Sequence, residues 1–121
     1  KADAVMIDAP CSGTGTWRRN PEARWRLDAK AIERYCAMQA NVLDIGASLV
    51  RPGGRLTYVV CSLLDAEGAD RIEAFLSSNP GWDVALPPLP AGRARGRGWR
   101  LTPFGDGTDG FFFATLVRRV N

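Results

Sequence analysis

An α/β fold with parallel strands is predicted for this 121-residue chain on three observations. Short apolar runs alternate with helical periodicity in the order strand, helix, strand, helix, an alternation that makes neighbouring strands parallel. The first run, "AVMIDA", is apolar without alternation, the pattern of a strand buried on both faces of a parallel sheet. Proline, glycine and asparagine punctuate the element ends. With 45% hydrophobic residues the chain supports one domain with a real core and is too short for two.

The elements follow in order. The first strand covers residues 4–9 and leaves through Asp8, Ala9 and Pro10. Asp28 is a good N-cap, and Ile32, Cys36, Leu43 and Val50 recur at helical spacing until Pro52, Gly53 and Gly54 stop the pattern, so a long crossover helix is expected over 28–50. "RLTYVVCS", residues 55–62, is β-branched and aromatic and reads as the second strand. Residues 65–78 carry Ile72, Phe75 and Leu76 on a second helix that Asn79 and Pro80 end. "WDVAL" reads as a short strand, and "PPLPAGRARGRG", residues 87–98, as a mobile loop. The turn cluster "GDGTDG" then leads into "FFFATLV", residues 111–117, a last strand inside the sheet.

Composition removes several chemistries. Histidine is absent, which excludes His-based acid/base catalysis, Cys-His nucleophile pairs and most catalytic zinc sites. The three cysteines, Cys11, Cys36 and Cys61, are odd in number and form no C-x-x-C pair. Neither a disulfide framework nor a metal site is indicated, and a reducing, cytoplasmic setting fits best. No stretch is long and apolar enough to cross a bilayer, and no membrane partner is expected. The formal charge of +3 is mild, but Arg18, Arg19, Arg24 and Arg26 crowd one stretch and Arg93, Arg95, Arg97 and Arg100 another. The chain opens on "KADAVMIDAP", straight into a strand with no initiator Met, and is expected to be a fragment of something longer.

In open α/β sheets, ligands bind beyond the carboxyl ends of the strands. Asp8, Pro10 and Cys11 leave the end of the first strand, and Cys61 and Ser62 the end of the second. If the two strands are neighbours, about 5 Å apart, two thiols and a carboxylate converge on one crevice. The N-terminus of the following helix is expected to favour the Cys61 thiolate. Taken singly, a cysteine in a strand or turn reads first as a small buried hydrophobe, and Cys36 on the helix keeps that reading. Asp8 reads equally as a turn cap, and "SGTG" as a simple bend.

The set of segments carries more than any one of them. "DAPCSGTG", "RRNPEARWR", Gln39, "RPGGRLTYVVCSL" and "DGTDGFFFATL", in that order, resemble the C-terminal half of the Sun-family RNA (cytosine-5) methyltransferases over nearly the whole chain. The Arg-Arg-x-Pro element resembles the bacterial ribosomal-RNA branch. The resemblance implies a Rossmann-like methyltransferase sheet of parallel strands with a final antiparallel strand, S-adenosylmethionine as cofactor and RNA, ribosomal above all, as partner. It implies roles residue by residue: Cys61 as the nucleophile that adds to C6 of cytosine, Cys11 as the second cysteine that helps release product, and Asp8 as the acid facing the base. Asp8 and Pro10 would border the cofactor. Arg18, Arg19, Arg24 and Arg26 read either as phosphate contacts to RNA or as a solvated charged loop.

Two departures and three rivals go with it. Where the family often has Pro-Glu-Glu-Asn, this chain has Asp65-Ala66-Glu67-Gly68, which argues against a functional Glu67. The family's glycine-rich cofactor loop and ribose-gripping acid would precede Lys1, so the first strand is expected to lose its outer neighbours and to offer a self-association edge. The rival enzyme classes are amino-group methyltransferases, which use Pro-Pro-aromatic here and no cysteine, and DNA cytosine-5 enzymes, in which Cys11 would attack. The non-catalytic rival is an RNA-binding or structural fragment.

Overall fold

A computed structural model describes residues 1–13, 28–85, 92–102 and 110–120. Strand β1 (Ala2–Asp8) leads to helix α1 (Ala29–Ser48), strand β2 (Val50–Val60) and helix α2 (Ala69–Ser78). Strands β3 (Trp82–Ala85), β4 (Arg93–Arg95), β5 (Gly98–Leu101) and β6 (Phe111–Arg118) complete a six-stranded sheet. β1 pairs with β2 in parallel, and β6 runs antiparallel to β2 on its other side. The outer edge of β6 is shared: β3 pairs with its C-terminal part and β5, backed by β4, with its N-terminal part.

The predicted crossover helix starts where its cap requires. The Asp28 carboxylate accepts the Ala31 N–H at 2.7 Å, satisfying one of the free donors of the first turn. The helix ends at Ser48, so Val50 belongs to β2 and not to the helix. β2 therefore begins five residues before the predicted 55, and it runs through Pro52, Gly53 and Gly54. Gly53 has φ +82°, and a Cβ on Gly54 would lie 2.8 Å from the Asp3 carbonyl oxygen. The glycines that locally read as a break let β1 approach β2 at a point where their register shifts.

Leu56, Tyr58 and Val60 of β2 lie opposite Leu116, Ala114 and Phe112 of β6, and all six are buried. Leu43 of α1 and Ile72 and Phe75 of α2 join the same core, and Phe75 meets Trp82 edge-on at 5.6 Å. Both helices thus cover one face. α1 packs tightly on the sheet at Gly46, where a Cβ would lie 2.5 Å from Ile7 Cδ1 and 3.2 Å from Leu56 Cδ1.

The opposite face has no helix among the described residues, and this corrects the reading of "AVMIDA" as buried on both faces. Val5 and Ile7 are half-buried toward α1, whereas Ala4, Met6 and Asp8 are exposed, Met6 by 73%. β6 behaves alike, with Phe112, Ala114 and Leu116 buried and Phe111, Phe113, Thr115 and Val117 half-buried. Two further expectations change. The second helix starts at Ala69, because residues 65–68 form turns in front of it. The loop expected over 87–98 is in part a hairpin: β4 and β5 pair antiparallel, and Trp99 lies opposite Phe113 of β6. Residues 86–91 lie outside the described residues. The hairpin's charges meet acids, with Arg95 Nε on Asp65 at 2.8 Å and Arg97 Nε on Glu73 at 3.2 Å. The bidentate Arg95 contact holds the Asp65 carboxyl below its ordinary range. Among the described residues, no helix is long and apolar enough to cross a membrane.

Candidate active site at the carboxyl ends of the first two strands

Parallel pairing of β1 and β2 places Asp8 opposite Val59, and the Ala9 N–H donates to the Val59 carbonyl at 2.9 Å. Both strands therefore end together, and the Asp8-to-Cys11 loop and the Cys61–Ser62 step leave from one sheet edge, as the spacing predicts. Asp8 and Pro10 are exposed there. Cys61 is exposed and Cys11 half-buried. The Cys11 thiol lies within hydrogen-bonding reach of the backbone N–H groups of Gly13 and Cys61, so the two loops are neighbours.

Burial pushes the Cys11 thiol above its ordinary 9.0 and the nearby Glu67 charge raises it further, while those two N–H groups pull the other way. The next helix starts eight residues past Cys61 and not directly after it. α2 begins only at Ala69, with residues 65–68 in turns before it. What distinguishes Cys61 is access. Cys36 keeps its structural role: its thiol donates to the Ala66 carbonyl at 3.3 Å, tying α1 to the turn before α2.

A test of this contrast is alkylation. Iodoacetamide near neutral pH is expected to modify Cys61 ahead of Cys11, with peptide mass spectrometry resolving the two; Cys11 should follow only as pH climbs past 9.0. The folded Cys11 holds its proton to higher pH than the unfolded thiol. Its contribution to stability is therefore full below 9.0 and is lost as pH rises through the folded value.

Composition gave no hint of a residue that the fold puts between the two loops. Glu67, expected to be without function, is fully buried. It accepts hydrogen bonds from Ser12, Gln39 and Ser62. The repeated Cys-Ser step was the available signal, since each serine follows a candidate cysteine. Arg18, Arg19, Arg24 and Arg26 lie outside the described residues. No group of three or more Cys, Asp or Glu suited to a metal occurs among the described residues. Concavities elsewhere, one against Leu43, Arg71 and Phe75 and one against Lys1, Ser48 and Trp82, include none of Asp8, Cys11 and Cys61.

A family model described as 16S rRNA methyltransferase RsmB/F matches residues 1–117. Ribosomal RNA small subunit methyltransferase B of Thermus thermophilus is 43% identical over 123 residues, covering 100% of this chain and 30% of that protein. The protein of the same name from Xanthomonas campestris is 43% identical over 118 residues, covering 96% and 26%. Among solved structures, NSun6 from Pyrococcus horikoshii with SFG, an S-adenosylmethionine analogue, superposes with TM-score 0.85 at 27% identity, covering 100% of this chain and 31% of that one. A methyltransferase homologue from the same organism gives TM-score 0.80 at 25% identity, covering 98% and 39%. The chain spans less than a third of the length of these two curated relatives.

Proposed function

The chain belongs to the RsmB/F family of 16S rRNA methyltransferases, and from that premise we propose that it carries the strand-end chemistry of an S-adenosylmethionine-dependent RNA cytosine-5 methyltransferase acting through a covalent Cys61–C6 adduct. The observation that supports this reading is the meeting of the Cys11 sulfur with the Cys61 backbone at the shared end of β1 and β2.

C5 of cytosine is a poor nucleophile until a soft thiolate adds at C6. In this reading the Cys61 sulfur forms a bond to C6, and the C5–C6 π electrons become available at C5. Exposure suits Cys61 to that attack, whereas Cys11, half-buried and with its thiol pushed up, is the poorer thiolate. Asp8, exposed at the end of β1, faces the base near N3 and steadies the charge that builds there. The exposed Asp8 carboxylate beside Pro10 fits one wall of a cofactor site. S-adenosylmethionine, when bound, would supply the electrophilic methyl carbon for C5, its sulfur keeping the electron pair of the broken S–CH3 bond and leaving as S-adenosylhomocysteine. The C5 proton then passes to a solvent base, the C–H electrons re-form the C5–C6 double bond and the sulfur–C6 bond breaks, returning the Cys61 thiolate; Cys11 assists this release. Arg18, Arg19, Arg24 and Arg26, outside the described residues, are the chain's candidate contacts to RNA phosphates.

The full-length protein, incubated with unmodified 16S rRNA and S-adenosylmethionine, is expected to produce 5-methylcytidine on nucleoside mass spectrometry. A methyl group on a base nitrogen or on ribose would overturn the reading.

A further inference from the structure

Glu67 accepts hydrogen bonds from both cysteine loops, and the chemistry above leaves it without a task. It is 0% exposed. Its Oε2 accepts the Ser12 N–H at 2.8 Å and Gln39 Nε2 at 3.0 Å. Its Oε1 accepts Ser62 Oγ at 2.6 Å, and Ser12 Oγ as well. Gln39 Nε2 also donates to the Pro10 carbonyl at 2.9 Å, and the Tyr58 hydroxyl donates to the Glu67 carbonyl at 2.6 Å. Ser12 directly follows Cys11, and Ser62 directly follows Cys61. Both Cys-Ser steps therefore end on one carboxylate, on opposite strands' loops.

Burying an acid costs free energy that an apolar side chain of similar volume avoids. Here the cost is offset by four donors that match the acceptor sites of a carboxylate, and all four come from the two loops or from α1. The bonded groups also bracket the sulfur: the Cys11 thiol takes the N–H groups of Gly13, just after Ser12, and of Cys61, just before Ser62. A shift of either serine moves one cysteine against the other.

We propose that Glu67 is a positioning residue that sets the spacing of Cys11 and Cys61 by holding both Cys-Ser steps on a single buried carboxylate. The proposal rests on the two-cysteine reading above. Glu67 touches no substrate atom. It acts by fixing where the attacking and releasing thiols stand, and small displacements of such groups are costly in rate.

The test is steady-state methylation of rRNA by variants of the full-length protein. Glu67→Ala is expected to lower kcat by about a hundredfold while KM for RNA stays near its parent value. Ser62→Ala, which cuts one arm, should lower kcat by about tenfold and add nothing when combined with Glu67→Ala, since both remove the same connection. Glu67→Gln keeps an oxygen for Ser12 and Gln39 and turns its NH₂ toward two hydroxyls that are free to rotate. It should recover kcat to within about threefold of the parent. A merely structural acid would lower the melting temperature in all three without a kcat-only loss or coupling to Ser62, and that result overturns the proposal. Should Glu67→Ala fail to fold, Ser12→Ala and Ser62→Ala decide: parental kcat in both overturns the clamp, and a kcat loss in each at parental KM supports it. Cys61→Ser run alongside separates the two readings. Full methylation by Cys61→Ser sinks the two-cysteine chemistry and the clamp with it, whereas an inactive Cys61→Ser beside a Glu67→Ala of parental kcat sinks the clamp alone.

Discussion

Cys61→Ser is expected to abolish methyl transfer, by more than about a thousandfold, and to leave no protein–RNA adduct, whereas Cys11→Ser is expected to accumulate a covalent protein–RNA species. The reason lies in the order of the two tasks. A serine hydroxyl at Cys61 is a far weaker nucleophile than a thiolate and stays protonated, so C6 is never attacked and C5 never activated. With Cys11 changed instead, the exposed Cys61 sulfur still adds, the base still gains its methyl, and release is what slows. A denaturing gel with labelled RNA reads both outcomes at once: no shifted band for Cys61→Ser, a persistent one for Cys11→Ser. The reverse pattern would make Cys11 the attacker, the arrangement of DNA cytosine-5 enzymes. The substitutions are small and the Cys61 position is exposed, so loss of fold does not account for a null at that site. Cys11 is half-buried, and serine there keeps a polar atom for the Gly13 and Cys61 N–H groups, which protects the loop geometry while removing the thiol.

How much of this was legible beforehand depended on whether a signal was local. The Asp28 cap, the apolar run of β6 and the two strand ends with their cysteines are decided by residues adjacent in sequence, and they stand where the reading put them. The start of β2 was hidden, because Pro52-Gly53-Gly54 reads as a break until β1 is present to use the close approach at Gly54. The β4–β5 hairpin was hidden for a similar reason. An Arg-Gly-rich run has little strand preference of its own, and what holds it is Trp99 against Phe113 of β6 together with Asp65 and Glu73 meeting Arg95 and Arg97. "AVMIDA" was over-read: a continuous apolar run promises burial on both faces, but α1 and α2 both pack on one. Glu67 was least legible of all. One acid in a turn carries no local mark of the Ser12, Gln39 and Ser62 donors that converge on it from 55, 28 and 5 residues away.

Leu56→Ala is expected to destabilise the fold by about 2–5 kcal/mol, while Met6→Ala on the opposite face should stay within about 0.5 kcal/mol. Leu56 is fully buried in the middle of β2, with Val5 and Leu116 as its cross-strand neighbours. Above it α1 presents Gly46, whose missing side chain lets the helix backbone lie close to Leu56. The helix is already as near the sheet as its backbone allows, so little is left to collapse into the space a removed isobutyl group would leave, and the cavity term is felt in full. Against a domain stability of about 5–15 kcal/mol this is a large share. β2 also carries Cys61 beyond its end, so activity should fall with the folded fraction on heating, while kcat at low temperature changes little. Urea denaturation of both variants in the full-length protein checks the contrast. Leu56→Met, which conserves volume, should recover most of the loss. Met6→Ala costing as much as Leu56→Ala would mean that the face exposing Met6 here is packed against another part of the protein, and the one-sided core described above would then be incomplete.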